Sequence, residues 1–166
     1  MTQKAETLLW ARIKAKVPPH WNTTRIENRF GGGVPDVHVC AEGVPFWMEL
    51  KVTKTNAINI SPHQIAWNHA YCQAGGVSFF LIHPLLSHGL YLFDGIKGRE
   101  LAKSGLRGIS LEPGSGVVPL WSGESESGLL VGALEIARSR VGSGSVGSGS
   151  GSKPSLAPAS WPGPGV

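Results

Sequence analysis

The segment from Pro35 to Val52 constrains this chain more than any other part of it. Val37 and Val39 alternate with Asp36, His38 and Cys40. After Glu42-Gly43, Phe46, Met48, Leu50 and Val52 alternate with Trp47, Glu49 and Lys51. Such alternation marks strands with one buried face, and Gly43 can supply the positive φ that a two-residue hairpin turn needs. With the loop at Glu42-Gly43, Ala41 pairs with Val44, and counting outward sets Asp36 opposite Glu49. The large apolar residues then share one face, while Asp36, His38, Trp47, Glu49 and Lys51 share the other. A slip of one residue would exchange the two faces, so this register is strongly specified.

The polar face carries the chemistry. Side chains two residues apart on a strand point the same way, so Lys51 joins Glu49, with Asp36 across the hairpin. Two neighbouring acids beside an ammonium are what a hard cation such as Mg²⁺ requires to activate water against a phosphodiester. The competing reading is an ion pair on a solvated hairpin face, where opposite charges are common.

Around the hairpin, Thr2 can cap a first helix from Gln3 to Lys16, with Leu8, Leu9, Ile13 and Val17 as its apolar stripe and Pro18-Pro19 as its end. A short extended piece is expected near Thr24 to Ile26, followed by a loop at Gly31-Gly32-Gly33. That loop is either a flexible connection or a place where DNA backbone can come close to Asp36. Ser61-Pro62 starts a second helix running to Gln73 and stopping at Gly75-Gly76. Val77 to Ile82 and Leu90 to Phe93 read as strands, and Arg99 to Lys103 as a short helix. The order α, hairpin, α, β, β predicts an α/β fold, a small mixed sheet flanked by helices. Residues 1–107 are expected to form this domain. Residues 108–141 read as a linker with a possible amphipathic helix over Leu129 to Arg140, and the Gly/Ser/Pro-rich residues 142–166 as a disordered tail.

Composition narrows the partners. The chain carries 15 Lys+Arg against 11 Asp+Glu, a formal charge of +4, which suits a polyanion. Lys14, Lys16, Arg25, Arg29 and Lys54 are candidate phosphate contacts, and Trp21 and Phe30 are candidates either for stacking on an unpaired base or for core packing. Cys40 and Cys72 read as reduced thiols. The N-terminus lacks the apolar run of a signal peptide, and no stretch approaches the ~20 apolar residues of a membrane span. A cytoplasmic protein is expected, or one of the host cytoplasm if phage-encoded. The histidines show no metal-ligand spacing.

Gly33-Val34-Pro35-Asp36, then Glu49-Leu50-Lys51, then Gln64 on the following helix, with Gly75-Gly76 and an apolar strand after it, resembles the PD-(D/E)XK nuclease superfamily in its Holliday-junction-resolvase-like and VRR-NUC branches. The resemblance runs from Lys4 to Phe93. It implies a restriction-endonuclease-like core and metal-dependent hydrolysis of DNA, with branched or structured DNA in phage or prokaryotic recombination, replication or repair as the substrate class. It also implies that Asp36 and Glu49 hold Mg²⁺ or Mn²⁺ with the backbone carbonyl of Leu50. Lys51 would orient the water or stabilise developing charge, and Gln64 would brace Lys51 or contact the phosphate. Glu6 resembles the additional acid of junction resolvases, with Glu27 as its competitor. A first-turn acid favoured by the helix dipole is the plainer account of Glu6. Cutting both strands of a two-fold junction favours a homodimer. The alternatives are a restriction-type or general DNA nuclease and, in another class, a non-catalytic DNA-binding module.

Overall fold

Glu42 and Gly43 both adopt positive φ, 50° and 81°, which makes the loop a type I′ turn and sets the hairpin register. Ala41 pairs with Val44 and Val37 with Met48, so the counted register holds. The computed structural model describes residues 2–26, 32–87, 89–112, 114 and 116–143. Glu27, Arg29, Phe30, Gly31 and the tail from residue 144 onward lie outside them.

The elements in chain order are α1 (Thr2–Lys14), β1 (Asn22–Arg25), β2 (Val37–Ala41), β3 (Val44–Thr53), α2 (Pro62–Gln73), β4 (Ser78–Pro84), β5 (Leu90–Asp94), α3 (Gly98–Ser104), β6 (Trp121–Gly123) and α4 (Glu126–Ser143). The strands form one sheet in sequence order, β1 to β6. Every neighbouring pair is antiparallel except β3 and β4, which run parallel with α2 as their crossover. The fold is therefore α/β, a mixed six-stranded sheet flanked by helices, as the element order predicts. No helix among the described residues is long and apolar enough to cross a membrane.

Two apolar layers hold the sheet. On one face Val37, Val39, Phe46, Met48, Leu50, Val52, Phe79, Leu81 and Leu92 pack with Leu9 and Ile13 of α1 and with Leu129, Leu130, Ala133, Leu134 and Ala137 of α4. On the other, Phe80, Ile82 and Phe93 pack with Ile58, Ile60, Leu101 and Val117. β4 is buried along its whole length because both faces are covered. This second layer draws no residue from β1, β2 or β3. The polar half of the hairpin therefore stays outside a core.

Three expectations change. Leu8 is 61% exposed, because the stripe of α1 that meets the sheet runs through Leu9 and Ile13. Trp21 is buried in the first layer, which excludes it from base stacking and leaves core packing. Residues 108–141, expected as a linker, add strand β6 to the edge of β5 and seat α4 in the first core. A three-residue strand carries no readable alternation, and α4 starts three residues before the helix expected from Leu129.

Candidate functional site

The site forms where β2 ends and β3 continues. The Trp47 N–H donates toward β4, to Val77 O at 3.0 Å, and successive strand N–H groups point to opposite sides. Those of Leu50 and Val52 therefore point to the β2 side, where β2 has already stopped at Val37. Two carboxylates fill the vacated positions. The Leu50 N–H donates to Asp36 Oδ2 at 2.9 Å, and the Glu6 carboxylate lies near the Val52 N–H, which favours its charged form. In a strand the N–H and C=O of one residue leave on the same side, so the Leu50 carbonyl also faces this corner. The backbone of Asp36 is fixed in turn by the Ile26 N–H, which donates to Asp36 O at 2.7 Å.

Glu49 and Lys51 lie side by side on the α2 face, as their spacing requires. Lys51 Nζ stands 2.9 Å from Glu49 Oε1, with the Glu49 side chain 1% and that of Lys51 11% exposed. Burial at that level rules out an ion pair on a solvated face. Ser61 caps α2, and Gln64 closes the capping box by accepting the Ser61 N–H at 3.0 Å through Oε1. Its amide nitrogen remains free to donate to Glu49 Oε1. Gln64 thus braces Glu49 and not Lys51. Oε1 of Glu49 takes both donors, while Oε2 is buried with no partner.

Burial raises the pKa of all three acids in this corner. Burial pushes Glu49 up to about 8, the Asp36 charge adds to this, and Lys51 opposes it. Asp36 is also raised, by burial, against the Leu50 N–H, Lys51, Arg25 and a hydrogen bond with the Glu49 carboxyl. Glu6 is raised by burial and by Asp36, against Lys51, the Val52 N–H and Arg25. Glu6 lies past the first turn of α1, so the helix-dipole account does not apply to it.

The donor set suits a hard divalent cation. It offers a buried oxygen on Glu49 that no nitrogen or hydroxyl donor takes, the Asp36 carboxylate beside it, a backbone carbonyl facing them, and an Asp36 charge pressing on Glu49 that a cation would relieve. No three His, Cys, Asp or Glu side chains among the described residues gather into a complete cage. Mg²⁺ does not ask for one, because it commonly takes one or two carboxylates and keeps several waters.

Neighbouring residues refine the picture. Gly33 has φ +97°, and a Cβ there would lie 2.2 Å from His63 O. The missing side chain thus lets the loop reach the first turn of α2, close to Pro35-Asp36. Of the phosphate candidates, Lys14, Lys16 and Lys54 are exposed, and Lys14 donates to Thr23 Oγ1. Arg25 is half-buried, and its charge acts on both Asp36 and Glu6. Its Nη1 is buried without a partner, so Arg25 belongs to the site more than to a rim. The register could have shown this, because Arg25 pairs with Val37, next to Asp36. A groove of about 1240 Å³ runs beside the site, lined by Leu8, Arg12, Lys54, His83 and Leu85 among others.

Comparison with known proteins adds one likeness. No family model matches the chain, and no curated protein matches it. Among solved structures, the chain is similar to Hjc, a Holliday junction resolvase of Archaeoglobus fulgidus. The identity is 11%, the match covers 56% of this chain and 76% of that one, and the TM-score is 0.43.

Proposed function

We propose that this protein is a metal-dependent endonuclease that hydrolyses DNA phosphodiester bonds, with branched or structured DNA as its preferred substrate. The observation that supports this best is the Glu49 carboxylate, held through one oxygen by Lys51 and Gln64 while the other stays buried and unpartnered beside Asp36. A buried oxygen of that kind costs free energy unless a ligand takes it.

In this reading Asp36, Glu49 and the Leu50 carbonyl hold Mg²⁺ or Mn²⁺. The bound ion supplies Lewis acidity, polarising the scissile phosphate and lowering the pKa of a water. Lys51, a point-like ammonium next to the carboxylates, donates to the attacking water or to the oxygen on which negative charge develops. Gln64 keeps Glu49 in its rotamer and ties that geometry to the start of α2. Glu6 completes the acidic corner from α1. Arg25 balances its charge and offers Nη1 to a phosphate oxygen. Exposed Lys14, Lys16 and Lys54 give the duplex backbone non-specific anchorage.

The family resemblance of Pro35-Asp36, Glu49-Leu50-Lys51 and Gln64 supports the same reading and suggests the junction-resolvase-like and VRR-NUC branches, a phage or prokaryotic setting and a homodimer. Incubation with labelled four-way junction, flap, single-stranded and linear duplex DNA, in Mg²⁺ and in EDTA, tests it. Cutting that requires Mg²⁺ and favours the junction is expected. Equal cutting of all four substrates would leave a general nuclease, and binding without cutting would point to a non-catalytic module.

A further inference from the structure

Four rings continue from the candidate site across the uncovered half of the sheet. His38 and Trp47 stand one same-face position from Asp36 and Glu49 respectively. Their ring centroids are 4.7 Å apart. Trp47 meets Trp67 of α2 edge-on at 5.5 Å, and Trp67 stacks on Tyr71 at 4.9 Å with an interplanar angle of 16°. Trp67 and Tyr71 follow Gln64 at intervals of three and seven residues, so one stripe of α2 carries both the brace of Glu49 and two of the rings. All four rings remain partly exposed.

They do not belong to a core. The second apolar layer includes none of them, and α2 packs chiefly on β4, α3 and the turn after β5. We propose that His38, Trp47, Trp67 and Tyr71 form a stacking platform for unpaired bases of the nucleic acid whose backbone lies at Glu49 and Lys51. This rests on the nuclease reading and extends it to the substrate's single-stranded part. The chemistry of the surface selects the occupant. Neither β2 nor α2 contains a Lys or Arg, so the platform has little to hold a phosphate backbone. Duplex DNA hides its base faces within its own stack, whereas an unpaired base exposes them, and aromatic rings bind such faces without regard to sequence. Direct continuity with the acidic corner places those bases next to the bond to be cut. A junction, flap or overhang would present both parts together.

The test separates stacking from catalysis by measuring binding in EDTA, where metal-dependent cutting cannot occur. The full chain is titrated with a short single-stranded oligonucleotide carrying 2-aminopurine and, separately, with a blunt duplex of the same sequence. The expected result is quenching of tryptophan and 2-aminopurine emission by the single strand. Trp67→Leu should weaken single-strand binding about tenfold or more while duplex affinity changes little, and Trp67→Phe should restore most of the loss. Thermal melts confirm that each variant is folded. Unchanged single-strand affinity in folded Trp67→Leu overturns the platform, as does equal loss on duplex. If single-strand binding follows the ring but no DNA is ever cut in Mg²⁺, the nuclease reading fails and the platform stands. No binding to either oligonucleotide overturns the platform and leaves the four rings to a protein partner.

Discussion

Glu49, Asp36 and Glu6 all have carboxyl pKa values above the ordinary range, each chiefly through burial, with the Asp36 charge adding to the rise of Glu49 and of Glu6. The sign of the consequence follows from linkage. A carboxyl whose folded pKa is raised binds its proton more tightly in the folded state, so its contribution is fully present below the unfolded value. It is lost as pH rises through the folded one. For Glu49 that window runs from 4.5 to about 8. The metal-free protein should therefore melt at progressively lower temperature from pH 5 to pH 8. Glu49→Gln should flatten the slope and raise the melting temperature at pH 8. Mg²⁺ should stabilise the wild type more at pH 8 than at pH 5, since it competes with protons for the same oxygens. Differential scanning fluorimetry across that range, with and without Mg²⁺, reads all three. A flat or rising profile in EDTA would show that the acids are not held against one another.

Two glycines separate turn from site in the hairpin and its approach. No atom lies within 4 Å of a Cβ built on Gly43, whose φ is 81°, so Gly43→Ala should cost about 1 kcal/mol of backbone strain and no more. Gly33→Ala would drive its Cβ into His63 O, which must move the loop that delivers Asp36. We expect Gly43→Ala to lower the melting temperature by about 3 °C with cutting retained. Gly33→Ala should reduce cutting far more than its stability loss accounts for, as parallel melts and single-turnover rates would show. The same pair illustrates how much the sequence revealed. Alternation and the Glu42-Gly43 loop were enough to place Asp36 opposite Glu49 and Lys51 beside Glu49, and Ser61-Pro62 was enough to start α2. The approach of Gly33 to α2 was not legible, because it depends on two elements meeting in space. For the same reason the orphaned oxygen of Glu49 and the ladder from His38 to Tyr71 emerge only from the assembled sheet.

The whole molecule depends on residues that look dispensable in the sequence. Leu129, Leu130, Ala133, Leu134 and Ala137 of α4 are almost entirely buried against β3 and its neighbours. Each such leucine contributes about 1.5–3 kcal/mol of burial, a large share of the roughly 5–15 kcal/mol that keeps a domain folded. A fragment ending at Arg107 should lose its cooperative melt by circular dichroism; a melt matching that of the intact chain would mean that α4 is peripheral. β6 and α4 close the first core from the far side of the sheet, so the corner at the end of β2 is built on a scaffold contributed by nearly the full described chain. The decisive measurement is the single-turnover cleavage rate of a labelled four-way junction in Mg²⁺ by wild type, Asp36→Asn and Lys51→Ala, each checked for folding by its melt. The account predicts falls of about 100-fold to 1000-fold for both variants, with junction binding retained. Rates within a few-fold of wild type in folded variants would contradict it.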